Sequence, residues 1–122
     1  MNFFKTEAEL TEDLITTRRT NGHLPWTPLI NTPPFPTYTS GHSTFSGAAA
    51  AILTSEIGNN IAFTDSSKMA DGFLPRSFIN FNMAAQEAAV SRLYGGIHYS
   101  FDNENGYKCG QLIADNVKYL KW

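Results

Sequence analysis

An apolar stripe that ends in a permanent cation constrains the fold of this chain most. Its apolar members advance by three and four residues, the spacing of one helix face: Phe78, Phe81, Ala85 and Ala88. Arg92 takes the next position on the same face, so its side chain is expected to point towards the core. Burying a guanidinium without a partner is very costly. The pattern therefore predicts a helix in which Arg92 faces a carboxylate, carbonyl groups or a bound anion.

Two glycines and two more polar residues follow this helix. Gly95 or Gly96 can supply the left-handed residue that closes it. His98 then lies just beyond the helix end, and Asp102 comes four residues later. An arginine, a histidine and a carboxylate are thus expected around one helix terminus.

Length and composition exclude several classes of protein. The 122 residues suffice for a single domain over 1–122, and 42% hydrophobic against 16% charged residues indicates a proper core rather than disorder. A net charge of −2 without a Lys/Arg run argues against a nucleic-acid partner. The lone Cys109 excludes an internal disulfide and is expected to be buried on an apolar helix face.

The chain as written shows no membrane span and no export signal. No apolar run reaches the roughly 18 residues that a transmembrane helix needs, and the N-terminal residues lack the apolar core of a signal peptide. A soluble, non-exported chain is therefore expected from these residues alone. Nothing in the sequence indicates an oligomeric state.

Periodicity predicts an all-α fold, a partial helical bundle of about four helices. Five of the six prolines fall in one long loop from Thr20 to Thr39, which Trp26, Leu29, Ile30 and Phe35 are expected to pack down. Residues 61–76 read as a surface excursion that can hold a short hairpin. Asp102 and Asn103 are the expected caps of the last helix. The predicted helices span about 3–17, 40–58, 77–94 and 105–120.

A small polar cluster begins the second predicted helix. Thr39 or Ser40 is a natural N-cap for the alanine-rich run that follows Gly41 and His42. Free backbone amides and the positive end of the helix dipole converge there, which makes such a terminus suitable for an anion. We therefore expect Ser40, Gly41 and His42 to face an oxyanion.

The two polar segments are predicted to form one site. Amide donors, a guanidinium, two imidazoles and a carboxylate suit binding and transfer of a tetrahedral oxyanion such as phosphate. Asp102 could accept a proton from the far nitrogen of His98 and so select its tautomer. Each feature also has a purely structural interpretation. Arg92 and Asp102 can form an ion pair, residues 40–42 can be a capping tripeptide, and the histidines can be structural. His23 is interpreted as structural. No nucleophile elbow, phosphate-binding glycine loop or metal-ligand spacing is present.

These segments resemble two signatures of the type 2 phosphatidic acid phosphatase and vanadium haloperoxidase superfamily. Residues 35–43 (Phe-Pro-Thr-Tyr-Thr-Ser-Gly-His-Ser) are similar to the second signature. Ser91-Arg92-x5-His98-x3-Asp102 is similar to the third. The flanking residues are similar to those of haloperoxidase-like bacterial members, and the resemblance covers about Trp26 to Val117. It implies a helical bundle, in agreement with the periodicity.

The resemblance implies a role for each site residue. His98 would be the phosphoryl-accepting nucleophile of a phosphatase or the vanadate ligand of a haloperoxidase, and His42 the acid/base group. Asp102 would orient His98. The oxygens of the oxyanion would be bound by Ser40, Gly41 and Arg92. A phosphatase would need no cofactor, a haloperoxidase would need vanadate on His98, and no other metal is expected.

The first signature of the family, Lys-x6-Arg-Pro, is absent. The residue seven after Lys5 is Glu12, and neither Arg18 nor Arg19 precedes a proline. The chain is therefore expected to be the C-terminal portion of a longer protein or a shortened relative, incomplete at its N-terminus. Each missing charged hydrogen bond costs about 1.5–3 kcal/mol.

Three functions remain open at this stage. The leading one is hydrolysis of a small phosphomonoester through a phosphohistidine at His98. The second is halide oxidation by peroxide with vanadate in the same pocket, and the third is a weak or inactive oxyanion-binding remnant. The family resemblance implies a periplasmic or secreted location, which the N-terminal residues do not themselves indicate.

Overall fold

The computed structural model describes residues 27–120 and shows three helices and one small hairpin in this part of the chain. The predicted all-α helical bundle is confirmed, and the predicted hairpin is present. The predicted helix over about 3–17 lies outside the described residues. The elements are α1 (Gly41–Ile57), β1 (Phe63–Asp65), a 3-10 turn (Met69–Asp71), β2 (Arg76–Phe78), α2 (Phe81–Tyr94) and α3 (Ser100–Lys118).

Helix α1 begins and ends where the sequence predicts. Ser40 is its N-cap, and the Ser40 side chain accepts a hydrogen bond from the backbone N–H of Ser43. Gly58 ends the helix with φ +123° and donates its N–H to the carbonyl of Thr54. Between these caps, the alanine run supplies high helix propensity and little side-chain bulk.

The hairpin corrects the predicted start of α2. Strands β1 and β2 pair antiparallel with Phe63 opposite Phe78, so Phe78 belongs to a strand and not to the helical stripe. The Phe63 ring lies 5.4 Å from both the Phe78 and the Phe81 rings, which holds the hairpin against α2. The helix begins only at Phe81 because the Asn80 side chain caps it, accepting the N–H of Met83 at 2.8 Å.

Helix α3 begins five residues earlier than the predicted Asn105. Asp102 and Asn103 are not its caps but residues of its first turn, where both are buried. The Asp102 carboxylate reaches back from this turn and accepts the backbone N–H of Tyr99 at 3.1 Å. An acid in the first turn stabilises a helix start as a capping residue does, because it satisfies a free amide and opposes the dipole.

Helices α1 and α3 approach each other closely through glycines. A Cβ atom on Gly110 would overlap the Thr44 carbonyl oxygen, and one on Gly106 would lie 2.6 Å from that of Ser40. Both contacts are to backbone atoms, which cannot move aside as a flexible side chain can. The close approach therefore depends on the missing side chains and brings the N-terminal turn of α1 against α3.

The apolar stripe predicted as the core face of α3 points outward. Cys109 is exposed, Leu112 is 64% exposed and Ile113 is 46% exposed, so the prediction of a buried thiol is wrong. The stripe points outward because the opposite face of α3 packs against α1. That face carries small residues and has no room for larger ones. The buried residues of α3 are Asp102, Asn103, Gly106, Gly110 and Ala114.

The described part of the proline-rich loop, residues 27–39, is less packed than predicted, and Trp26 lies outside the described residues. Leu29 is 71% exposed and Phe35 is 57% exposed, although the backbone N–H of Ile30 donates to the Gly95 carbonyl at 3.1 Å. Gly96 has φ +73°, in agreement with a left-handed residue at the end of α2. Within residues 27–120, no helix has the length and hydropathy to cross a membrane.

Candidate oxyanion site

A backbone hydrogen bond joins the two polar segments that were predicted to form one site. The N–H of Ser40, just before α1, donates to the carbonyl of Asp102 in the first turn of α3 at 3.1 Å. Ser40 and Asp102 are both fully buried, with 0% relative exposure. The N-terminal ends of α1 and α3 therefore meet, and the loop that carries His98 lies beside them.

His98 and Asp102 form a buried pair. The His98 Nδ1 atom lies 3.5 Å from the Asp102 Oδ2 atom, and the two residues are 6% and 0% exposed. Because Nδ1 faces the carboxylate, the Nε2 atom on the far side of the ring is the one available to a ligand. Among residues 27–120, His98 Nδ1 and Asp102 Oδ1 have no hydrogen-bond partner. Contacts of this kind are often long in the ligand-free form of a site.

His42 and Arg92 are electrostatic neighbours of His98. The pKa of His42 is lowered from its ordinary value of 6.5, first by partial burial and then by electrostatic interaction with Arg92 and with His98. His42 is therefore predominantly neutral at pH 7, and the residue as a whole is exposed to solvent. His42 therefore lies close enough to Arg92 and to His98 to interact with both electrostatically.

Arg92 brings a donor without a partner into this neighbourhood. Its Nε atom is buried and has no hydrogen-bond partner among residues 27–120. Burial lowers the pKa of Arg92 from its ordinary value, but a guanidinium stays protonated near neutral pH. A buried cationic donor without an acceptor is costly, and an oxyanion beside it would remove that cost.

Helix α1 contributes the remaining donors. Gly41 is its first residue, so the Gly41 amide is among the N–H groups that cannot bond within the helix. The Ser40 hydroxyl already accepts the Ser43 N–H, and its own proton is left to donate. These groups match the predicted oxyanion donors. Their roles remain predictions, because contacts within the protein do not show what the site binds.

Two residues of the site were not singled out from the sequence. Ser43 is buried on the first turn of α1, and its Oγ atom lies 2.9 Å from Ser40 Oγ and 3.2 Å from Asn103 Oδ1. The position of Ser43, three residues after the N-cap, is a usable signal for a contact with Ser40. Asn103 had been read as a cap, and only the packing of α1 on α3 reveals its contact with Ser43.

We expect the pKa of His42 to report on both its neighbour and a bound anion. Replacing Arg92 by glutamine removes a positive charge, so the pKa of His42 should rise part of the way towards 6.5; burial should keep it lower. In the unmodified chain, adding orthovanadate should also raise the pKa of His42. By linkage, orthovanadate should then bind more tightly at lower pH, where His42 is protonated. A pH titration of the His42 ring resonances by NMR measures both shifts. An unchanged pKa in Arg92→Gln would contradict the proximity of the two side chains.

Fold and site together define a helical-bundle domain in which the first turns of two helices, a buried histidine and one arginine come together. A family model described as the VCPO second helical-bundle domain matches residues 13–121, which is most of the chain. The chain therefore belongs to the vanadium haloperoxidase-like family, as the two signatures had indicated.

A solved structure supports this assignment. The chain is similar to a structure described as the first bacterial vanadium-dependent iodoperoxidase, with 44% sequence identity and a TM-score of 0.74. The match covers 90% of this chain but 26% of the iodoperoxidase chain, so the chain spans about a quarter of that relative. A search of curated proteins found no match.

The residues present fit vanadate better than they fit a metal cation. Among residues 27–120, no group of three or more His, Cys, Asp or Glu side chains could hold a metal ion. Vanadate is itself an oxyanion, and the site offers it the unpaired Nε donor of Arg92, the first amides of α1 and the His98 ring nitrogen that faces away from Asp102. These are the groups that bind tetrahedral oxyanions in proteins.

Proposed function

We propose that this chain forms the vanadate-binding domain of a vanadium-dependent haloperoxidase, with peroxide and a halide as substrates. The observation that carries the proposal is the meeting of an unpaired, buried Arg92 donor and the buried His98–Asp102 pair at the start of α1. The similarity to an iodoperoxidase supports the reaction class, and iodide is the first halide to test.

His98 is the proposed vanadate ligand, through Nε2. Asp102 faces Nδ1 at 3.5 Å, favours the proton on that nitrogen and so leaves the lone pair of Nε2 free. Bound vanadate would supply the group that activates peroxide towards attack by halide. The part played by Asp102 is to hold the ring and its tautomer, since the carboxylate is fully buried and anchored to the Tyr99 amide.

Arg92 and α1 balance the charge of the oxyanion. The guanidinium is a permanent cation, and the Gly41 amide adds the positive end of the helix dipole. His42 is neutral near pH 7 because partial burial and its electrostatic interactions with Arg92 and His98 lower its pKa, so it can accept a proton from an incoming peroxide. Ser40 contributes a neutral hydroxyl donor.

A phosphatase is the second candidate, because the same donor set accepts phosphate as readily as vanadate. In that reaction His98 Nε2 would attack phosphorus, the bond to the leaving oxygen would break, and protonated His42 would give that oxygen its proton. Water would then release phosphate from His98. The Nε2 atom of His98, on the side of the ring away from the Asp102 carboxylate, favours this chemistry. Hydrolysis of a small phosphomonoester through a phosphohistidine remains a prediction.

The chain alone could also bind an oxyanion weakly and catalyse neither reaction. Its sequence lacks the Lys-x6-Arg-Pro signature, so two cations that would surround the anion are missing. The proposed partners are small anions and peroxide, and nucleic acid is not among them. A periplasmic or secreted location remains a prediction from the family resemblance.

Orthovanadate titration of the chain by calorimetry tests the proposal most directly. Saturable binding at one site is expected, followed by iodide or bromide oxidation with hydrogen peroxide that depends on added vanadate. Hydrolysis of p-nitrophenyl phosphate that vanadate inhibits would favour the phosphatase instead. Binding without either activity would identify the weak oxyanion-binding remnant. A folded chain that binds no vanadate would refute the site as described.

A further inference from the structure

A buried chain of three polar side chains leads away from the oxyanion site. Ser43 Oγ lies between two acceptors, at 2.9 Å from Ser40 Oγ and 3.2 Å from Asn103 Oδ1. Ser40 and Ser43 are both 0% exposed and Asn103 is 5% exposed. Bulk water therefore has little access to these hydroxyls, and their hydrogen-bond partners are fixed by the protein.

The Ser43 hydroxyl carries one proton and cannot donate to both neighbours at once. If Ser43 donates to Asn103, then Ser40 donates to Ser43. The Ser40 proton is then no longer available to an oxyanion. If Ser43 donates to Ser40, then the Ser40 proton is free to point into the site. The direction of one buried hydrogen bond therefore decides whether Ser40 is an oxyanion donor.

Asn103 can support either direction because its amide has two unlike edges. With Oδ1 towards Ser43 it accepts, and after a half-turn of the amide its Nδ2 donates to Ser43 in the same space. The amide also lines a cleft of about 500 Å³ between α2 and α3, whose other lining residues include Leu93, Tyr94 and Tyr107. The edge that does not face Ser43 can meet water in this cleft, so both orientations can be satisfied.

We propose that Asn103 is a positioning residue that sets the direction of the Ser40 hydroxyl through Ser43. Asn103 does not touch the oxyanion. In the anion-bound form its Nδ2 donates to Ser43, Ser43 donates to Ser40, and Ser40 donates to the anion. This inference rests on the proposed function for the use of Ser40, but the polarity of the chain is a property of these three residues alone.

Asn103→Asp is the informative variant because a carboxylate of the same size can only accept. It should draw the Ser43 proton, turn the Ser40 proton away from the site and weaken orthovanadate binding by about tenfold or more. The new charge would also repel the anion directly. Placing Asn103→Asp in a Ser43→Ala background separates the two causes, because the relay is cut while the charge remains.

Calorimetric titration of orthovanadate into the unmodified chain, the two single variants and the double variant gives the coupling free energy between Asn103 and Ser43 in anion binding. The loss of affinity caused by Asn103→Asp should shrink by at least about threefold when Ser43 is alanine. Equal losses in both backgrounds would show simple charge repulsion and overturn the proposal. Circular dichroism melts of the four proteins identify any variant that fails to fold.

A second measurement tests the relay without an oxyanion, so it remains valid if the proposed function fails. In a Ser43→Ala variant Asn103 Oδ1 loses the Ser43 hydroxyl that donates to it, so the amide is held less firmly and its Nδ2 protons should shift and exchange faster with solvent by NMR. Adding orthovanadate to the unmodified chain should slow the exchange of one of these protons. If neither Ser43→Ala nor vanadate changes the exchange of the Asn103 Nδ2 protons, the relay is overturned. If Ser43→Ala speeds this exchange as expected but the chain binds no vanadate, the result counts only against the proposed function.

Discussion

The His98→Ala variant is expected to lose orthovanadate binding, with an affinity at least about a hundredfold below that of the unmodified chain. Replacing a residue that only orients a metal ligand typically costs 10–100-fold in affinity, and His98 is the proposed ligand itself. The variant also removes the partner of the buried Asp102 carboxylate. Calorimetric titration measures the loss, and turnover of iodide or of a phosphomonoester should disappear with it.

A matched pair of carboxylate variants controls for damage to the fold. Asp102→Asn keeps the shape of the side chain but alters the group that faces His98 Nδ1, so we expect about a 10–100-fold loss of vanadate affinity. Asp115→Asn makes the same change on the same helix at an exposed ion pair with Lys118, where little effect is expected. Vanadate affinity retained in His98→Ala, or equal losses in the two Asp→Asn variants, would refute the assigned roles.

Gly110→Ala is expected to destabilise the bundle by about 1–3 kcal/mol, the usual cost of overpacking. Helix propensity alone predicts the opposite sign, because alanine in a helix interior is favoured over glycine by about 1 kcal/mol. The packing term should prevail because the added Cβ would overlap the Thr44 carbonyl oxygen and lie 2.7 Å from the Ala48 amide nitrogen, both backbone atoms. Denaturant unfolding measures the change in free energy.

Asp115→Ala supplies the control on the exposed side of α3. It gains helix propensity without touching α1, so it should leave stability nearly unchanged or raise it slightly. A displacement of Thr44 by Gly110→Ala would also move the first turn of α1, so vanadate affinity should fall together with stability. A Gly110→Ala variant as stable as the unmodified chain would show that α1 and α3 do not approach as closely as described.

Much of the site could be predicted from local sequence because its chemistry lies next to helix ends. Ser40 is a good N-cap, and Gly96 permits the left-handed residue that closes α2. His98 then had to follow a helix end, and Arg92 had to lie on a helix face that otherwise carries small apolar residues. Caps, glycines and periodicity act over a few residues, so they are readable without the rest of the fold.

The errors concern choices that local patterns leave open. Helix α3 carries apolar residues on one face and small residues on another, and the apolar stripe was taken for the core. The face of small residues packs against α1 because Gly106 and Gly110 allow the two helix backbones to approach. Leu112 and Ile113 remain exposed among residues 27–120. Likewise, Asp102 caps α3 from its first turn rather than from before it.

The sequence by itself determined the class of the fold and the chemical groups of the site. Helical periodicity, capping residues and two signatures are local, and they predicted an oxyanion pocket with Arg92, His98 and Asp102. The tertiary structure alone decided how close the two segments come and which atoms meet. The Ser40–Asp102 backbone bond and the Ser43–Asn103 contact join residues about 60 positions apart. Such contacts depend on how α1 and α3 pack, a non-local property that no short pattern encodes.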